Sequence, residues 1–297
     1  MKNALKNTPY LEKASNINRE RMHDLLVKTA KGIEFFPIGR SIRGRELLCY
    51  KFGKGRGRVA FFGAHHALES ITTNILYAFV CILHSPLSRL ICGEASLSHY
   101  LSLYTYYVLP CLNPDGIELR LHGADGSPIK DRIIKASGGN FSRWQANERG
   151  VDLNHNYDAG FLQYKRIERE RGITEGAALY SGEYPESEPE TRAAANFVRI
   201  ISPMAIVSLH SQGEEIFYSP DRAAPLAARL SRLSGYKLST PTDTAAYGGL
   251  CDYTGASLGI PSFTFEVGRG KNPLAEALVP DILTKIAPAL FRLPSLI

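Results

Sequence analysis

Residues 58–69 read RVAFFGAHHALE, and the fold is organised around this stretch. The apolar run 58–62 is typical of a buried strand. Gly63 turns the chain at its end, and a helix follows, because apolar residues recur there at helical spacing. Those apolar residues are Ile71, Ile75, Ala78, Phe79 and Ile82. The sequence therefore predicts a strand, a turn and a helix in direct succession.

His66 and Glu69 stand at this junction, three positions apart. That offset can bring an imidazole and a carboxylate to one point. Zinc hydrolases commonly hold their metal with two histidines and one carboxylate, and they leave a fourth position for water. The same spacing also arises by chance, and His66 would equally suit an ordinary histidine at a helix start. A metal site requires a third ligand and a general base at other strand ends.

Composition describes an ordinary globular chain of 297 residues, with 44% hydrophobic and 22% charged residues. We expect one α/β domain over residues 1–297, in which residues 1–32 form a helical lead-in. The net charge is +6, but Lys and Arg are scattered, with a loose cluster only at residues 40–45. This pattern argues against nucleic-acid binding and fits a mild preference for acidic ligands.

The five cysteines show no C-x-x-C spacing, and most of their neighbours are apolar. We therefore expect reduced core residues, which favours a cytoplasmic location. The N-terminus has no apolar segment of the secretory type. The most apolar helix, at residues 71–83, is too short for a membrane span. The cysteines are Cys49, Cys81, Cys92, Cys111 and Cys251.

Two local patterns predict structure around the later motifs. Pro114, Asp115 and Gly116 form a strong turn signal, and residues 121–184 show little regular periodicity, which is typical of a long surface loop. Ser187 and Glu190 predict a capping box at the start of a helix that runs to about residue 201.

Within the long loop, residues 149–158 read RGVDLNHNYD. Two side-chain amides and an imidazole are packed closely together there. Such a run can be a turn held by Asn and Asp side chains, or it can be the wall of a pocket that grips a polar substrate group. The local sequence leaves both interpretations open.

Two further strand ends carry ligand-type residues. An apolar strand at residues 205–209 ends on His210. In the alternating strand at residues 262–267, Glu266 lies on the face opposite the phenylalanines and near the strand end. Its carboxylate could form a salt bridge with Arg269, or it could act as a general base beside a metal-bound water. In open α/β sheets, ligands bind at such carboxyl ends of strands.

In this order, the motifs resemble those of the zinc carboxypeptidase family. The family's H-x-x-E matches His66 and Glu69, its later histidine matches His210, and its catalytic glutamate matches Glu266. Its D-x-N-x-N segment matches residues 152–156. The resemblance covers most of the chain. It implies a single-domain α/β fold with a mixed, twisted eight-stranded sheet and helices on both faces.

The resemblance also implies a cofactor and an activity. One Zn²⁺ ion would be held by His66, Glu69 and His210, and Glu266 would be the general base. Several short motifs of the chain resemble those of the bacterial branch that cleaves γ-D-glutamyl-meso-diaminopimelate bonds in cell-wall peptides. This resemblance implies a muropeptide substrate. One alternative is a zinc carboxypeptidase acting on ordinary peptide C-termini. Another is a non-catalytic relative that binds peptides, although such proteins usually lose a ligand or the base.

The chain departs from the family in its substrate-binding positions. Gln145 stands where the family has an arginine that stabilises the oxyanion, and Arg149 is the nearest replacement in sequence. His155 stands where exopeptidases have an arginine that grips the terminal carboxylate. Thr244 takes the place of a tyrosine on a mobile loop, and a neighbouring tyrosine is the alternative. The predicted substrate-binding residues are Gln145, Arg149, Asn154, His155 and Tyr247.

Overall fold

The protein is described here by a computed structural model, which covers residues 23–24, 33–85, 88 and 97–297. The predicted lead-in at residues 1–32 lies outside the described residues, apart from His23 and Asp24. Eight strands form one sheet in the order β1-β2-β4-β3-β5-β8-β6-β7. They are β1 (Glu34–Arg40), β2 (Glu46–Phe52), β3 (Gly57–Phe62), β4 (Tyr104–Leu109), β5 (Ala205–His210), β6 (Glu215–Ser219), β7 (Lys237–Leu238) and β8 (Ser262–Glu266).

The sheet is mixed, as the family resemblance implied. The central strands β4, β3, β5 and β8 run parallel to one another. The pairs β1–β2, β2–β4 and β6–β8 are antiparallel. Because parallel strands end at the same edge of a sheet, the chain segments that follow β3, β5 and β8 meet at one edge.

Helices cover both faces of the sheet. Successive side chains of β3 point to opposite faces of the sheet, and both faces are buried. Val59 and Phe61 lie in one apolar core, and Ala60 and Phe62 lie in the other. The first core packs against α1 and α8, and the second packs against α6. The longer described helices are α1 (Ile71–Leu83), α2 (Leu97–Leu103), α3 (Pro114–His122), α4 (Lys130–Ser137), α5 (Phe161–Arg171), α6 (Pro189–Ile201), α7 (Ala224–Ser234) and α8 (Val279–Leu296).

The expected turn at Pro114 and the expected long loop were wrong. Pro114 starts helix α3, and the side chain of Asn113 caps that helix by accepting from the Gly116 amide at 3.0 Å. A proline suits a first helical turn because its missing N–H would have no partner there. The segment 121–184 contains helices α4 and α5. Both helices are short and are flanked by irregular segments, so the helical spacing of their apolar residues is not evident in the sequence.

The predicted capping box is also wrong, although α6 ends at the predicted residue. The N-cap is Glu188, and its side chain makes no capping bond. Glu190 instead accepts from the backbone amide of Ile42 at 3.2 Å, and the Ser187 hydroxyl donates to Glu188 at 2.9 Å. A distant backbone amide therefore occupies Glu190, while Ser187 bonds to its sequence neighbour rather than to an amide of the first turn.

Two sequence expectations concern bulk properties. The four cysteines that the structure describes are buried, as predicted, and lie outside any disulfide; Cys92 lies outside the described residues. Among the described helices, none combines the length and the apolar character that a membrane crossing requires.

Candidate metal centre and substrate cavity

Three strand ends place the predicted ligands and base at one edge of the sheet. His66 follows the turn after β3, and a short 3₁₀ turn, Ala67–Glu69, carries the second ligand. His210 is the last residue of β5, and Glu266 is the last residue of β8. The two strands pair in register at these two residues, so His210 and Glu266 are neighbours across the sheet.

The donor atoms of the predicted ligands converge. Glu69 bridges the two histidines, since its Oε1 lies 3.0 Å from His66 Nδ1 and its Oε2 lies 3.0 Å from His210 Nδ1. The two Nδ1 atoms are 3.3 Å apart. All three residues are buried, and one donor atom from each lies within 4.8 Å of the others. Two imidazoles and one carboxylate are the donor set of catalytic zinc sites, so the residues present fit a zinc ion.

Asp152 contacts the ring of His66 on the side away from the other ligands. The sequence analysis did not predict this contact. His66 Nε2 lies 3.1 Å from Asp152 Oδ1. A proton on Nε2 that points at this carboxylate leaves the Nδ1 lone pair free for a metal, and such partners orient metal-binding histidines. Gln145 and the Leu179 amide donate to the other oxygen at 2.8 and 3.1 Å. The aspartate of the D-x-N-x-N segment is the signal that could have indicated this role.

The buried ionisable side chains at this site shift one another's pKa values. Burial alone would raise the pKa of Glu69, but His66 and His210 hold it down, at about 2. Burial would lower the pKa of His66, but Glu69 and Asp152 keep it well above its usual value. For Asp152, the two histidines His66 and His155 outweigh burial and hold the pKa well below the usual range. Metal ligands bind deprotonated, so His66 would hold a zinc ion as the neutral imidazole.

The pKa of Glu266 is shifted upwards, unlike that of Glu69. Burial, and then the carboxylate of Glu69, raise its pKa to about 8. The salt bridge to Arg269 that the sequence left open is wrong, because Arg269 Nε lies 3.0 Å from Glu214 Oε2. A carboxyl group in this position, beside the metal donor set, can accept a proton from water and return it to a leaving group.

A cavity of about 200 Å³ opens beside these groups. His66, His210 and Glu266 line it, together with residues from β6 and from the segment 241–252. The cavity joins the metal donor set and the carboxyl group of high pKa in one space. This is the arrangement that the predicted chemistry requires.

Comparison with known proteins agrees with this geometry. The model of the zinc carboxypeptidase family, peptidase family M14, matches residues 20–244. The chain belongs to the zinc carboxypeptidase family. The matched residues include His66, Glu69 and His210 and stop short of Glu266.

Individual relatives point in the same direction. The chain is 30% identical over 249 residues to γ-D-glutamyl-L-diamino acid endopeptidase 1 of Lysinibacillus sphaericus, which covers 80% of this chain and 61% of that protein. It is 31% identical over 112 residues to murein peptide amidase A of Escherichia coli K12, which covers 37% of each. The chain thus spans less than two thirds of the endopeptidase it resembles.

A solved structure supports the fold. Bovine thrombin-activatable fibrinolysis inhibitor, in its complex with tick carboxypeptidase inhibitor, superimposes with a TM-score of 0.70. The two chains are 23% identical, and the match covers 98% of each. The described strands and helices therefore have the same overall fold as that protein.

The structure places the predicted substrate-binding residues of this chain in two groups. Gln145, Asn154 and His155 line the cavity, as does Thr244. Arg149 lies in another place, where its Nε donates to Glu188 at 3.0 Å and its side chain lines a second cavity. It is therefore not positioned to replace the family's oxyanion arginine, whereas Gln145 faces the candidate site.

Tyr247 contributes its backbone to the site. Its carbonyl oxygen accepts from His155 Nδ1 at 2.9 Å, and the His155 ring stacks on Tyr164 with 4.1 Å between centroids. Burial lowers the pKa of His155, so its ring is mainly neutral near pH 7. With Nδ1 protonated, Nε2 of a neutral ring is an acceptor. This imidazole therefore differs in kind from the arginine that exopeptidases of the family carry.

Zinc is expected to stabilise the folded protein measurably. A ligand at 100 times its dissociation constant that binds only the native state contributes about 2.7 kcal/mol. Adding zinc to protein stripped with a chelator should raise the melting temperature by several degrees. His210→Ala should abolish the shift, while the exposed His122→Ala should keep it. A full shift in His210→Ala would contradict the assigned ligand set.

Proposed function

We propose that this protein is a zinc metallopeptidase that hydrolyses the amide bond between γ-D-glutamate and meso-diaminopimelate in bacterial cell-wall peptides. One observation carries the proposal. His66, His210 and Glu266 line a single cavity, and Glu69 bridges the two histidines beside it. A metal donor set with a carboxyl group beside it is suited to the hydrolysis of an amide bond.

The residues divide the chemistry among them. When bound, zinc supplies a Lewis acid and lowers the pKa of a water molecule towards neutrality. Glu266 takes a proton from the attacking water and returns it to the amide nitrogen that leaves. Asp152 keeps His66 in the tautomer whose Nδ1 lone pair is free. Gln145 uses one N–H for Asp152, and its second N–H donates to the scissile carbonyl oxygen as negative charge develops there.

Two observations support the substrate. One relative, which covers 80% of this chain, is named γ-D-glutamyl-L-diamino acid endopeptidase 1. In addition, His155 is a mainly neutral group at the position where exopeptidases of the family have an arginine. A neutral imidazole binds a terminal carboxylate less firmly than an arginine does, so this site is less suited to ordinary peptide C-termini.

A direct assay tests the proposal. Zinc-loaded protein is incubated with L-Ala-γ-D-Glu-meso-diaminopimelate and, separately, with an α-linked peptide that has a free C-terminus. Mass spectrometry should detect diaminopimelate released from the first substrate, with little cleavage of the second. Cleavage of the α-linked peptide alone would keep the peptidase and refute the substrate. Cleavage of neither would favour a peptide-binding role.

A further inference from the structure

Helix α3 contacts the short segment that carries the first two predicted zinc ligands. Asn113, the N-cap of α3, donates from Nδ2 to the His65 carbonyl oxygen at 3.0 Å. Two helical turns later, Arg120 donates from Nε to the Ala67 carbonyl oxygen at 3.1 Å. Residues seven apart lie on the same side of an α-helix, because each turn takes about 3.6 residues. One side of α3 therefore holds the ligand segment at two points.

Arg120 also contacts the residue that follows the second ligand. Its Nη2 donates to the Ser70 hydroxyl at 2.9 Å, and Ser70 is the N-cap of α1. The two acceptors of Arg120 therefore lie on either side of Glu69 in the chain. A guanidinium group is planar and presents its N–H donors in a fixed fork, so a single arginine restrains both acceptors relative to each other. These bonds thus restrain the backbone that carries Glu69.

The surroundings of Arg120 keep its side chain in this place. The residue is half-buried, and burial lowers the pKa of Arg120, while the nearby carboxylate of Glu276 opposes that shift. Glu276 also accepts from the side chain of Asn74 in α1. Ala67 is fully buried, and a buried carbonyl that loses a donor is unfavourable. Arg120 does not line the substrate cavity, so its effect on the site must pass through the turn at Glu69.

The position of Glu69 matters because this residue joins the donor set together. Its two carboxylate oxygens lie 3.0 Å from His66 Nδ1 and 3.0 Å from His210 Nδ1. Metal-binding groups must be held within about 0.5 Å of their productive geometry. Hydrogen bonds in a 3₁₀ turn have poorer geometry than those of an α-helix, so a turn of three residues needs support from outside to hold that position.

We propose that Arg120 is a positioning residue of the zinc site, which fixes the turn of Glu69 through Ala67 and Ser70 and thereby raises the affinity for zinc. The inference rests on the ligand set of the proposed function. Groups that orient metal ligands from outside usually change metal affinity by about 10- to 100-fold. Arg120 acts through the backbone rather than on the ligand atoms, so we expect the lower end of that range, about tenfold.

Zinc affinity, measured by competition with a chelator, tests this assignment. Arg120→Gln should bind zinc about tenfold more weakly than the parent, because glutamine cannot reach both acceptors. Arg120→Lys keeps the charge and a donor for one acceptor, so it should recover part of the loss. Arg58→Gln is the matched control, because Arg58 also donates to a backbone carbonyl, that of Ile201 at 2.9 Å, but near the start of β3. This control should bind zinc like the parent.

Cobalt reports the geometry of the site without any turnover. Protein loaded with Co²⁺ in place of zinc absorbs visible light, and the positions and intensities of the bands depend on how the ligands are arranged around the ion. Arg120→Gln should change this spectrum, because Glu69 is no longer held in one place. Arg58→Gln should keep the spectrum of the parent.

The outcomes separate positioning from a merely structural role. If Arg120→Gln melts at a lower temperature but keeps the zinc affinity and the cobalt spectrum of the parent, Arg120 only supports the fold and the assignment is overturned. Equal losses of zinc affinity in Arg120→Gln and Arg58→Gln overturn it as well. Should Arg120→Gln fail to fold, Arg120→Lys decides, since weaker zinc binding supports the assignment and unchanged binding contradicts it. A failure to cleave γ-D-glutamyl substrates would refute the proposed function without changing these zinc affinities.

Discussion

Glu266→Gln is expected to lower the rate of peptide hydrolysis by about 10²- to 10⁴-fold, the usual contribution of a general acid–base group. Glutamine has nearly the same shape but cannot accept a proton from water or return one to the leaving nitrogen. The side chain lies at the end of β8, beside His210 of β5, so the substitution should leave the donor set in place. Zinc affinity should therefore stay within a fewfold of the parent.

Two quantities are measured for each variant: the rate of hydrolysis and the affinity for zinc. Initial rates are followed by mass spectrometry at saturating zinc, and zinc affinity is measured by competition with a chelator. Glu170→Gln is the control, because Glu170 is exposed and does not line the cavity. Its rate should remain close to that of the parent. Substantial hydrolysis by Glu266→Gln would show that another group moves the proton.

Asp152→Asn should weaken zinc binding by about 10- to 100-fold, which is the usual effect of removing a group that orients a metal-ligating histidine. Asp152 accepts from His66 at 3.1 Å and from Gln145 at 2.8 Å. An asparagine presents one acceptor and one NH₂ group, so it cannot serve both donors equally. It also removes a negative charge that lies beside His66 and would favour a bound cation. We expect a lower melting temperature as well, because the side chain is fully buried.

Saturating zinc distinguishes the two effects of this substitution. High zinc should refill the site, but the rate should remain below that of the parent, because His66 and Gln145 have lost their common anchor. Asp158→Asn, in the same segment but exposed, should bind zinc normally. If Asp152→Asn binds zinc like the parent, the contact to His66 does not orient the ligand.

The amino-acid sequence alone was sufficient for the centre of the protein. The apolar run before Gly63 and the helical spacing after it predicted β3 and α1, and both are present. Likewise, His210 and Glu266 end the strands that the apolar patterns predicted. These features depend on residues close together in the chain, because burial on one face of a strand or helix has a fixed period. The order of the ligand motifs then indicated the zinc carboxypeptidase fold.

Only the tertiary structure decided which polar side chains surround the metal centre. Asp152 reaches His66 from 86 positions away. Arg149, four residues before Leu153 in sequence, instead turns to Glu188. Asp252 lines the cavity because its segment packs against the loop at Asn154, whose Oδ1 accepts from the Leu250 amide. Such contacts depend on strand order and on how irregular loops pack, and neither leaves a periodic trace in the sequence. Local patterns therefore determined the sheet and its ligands, while long-range packing determined what lies around them.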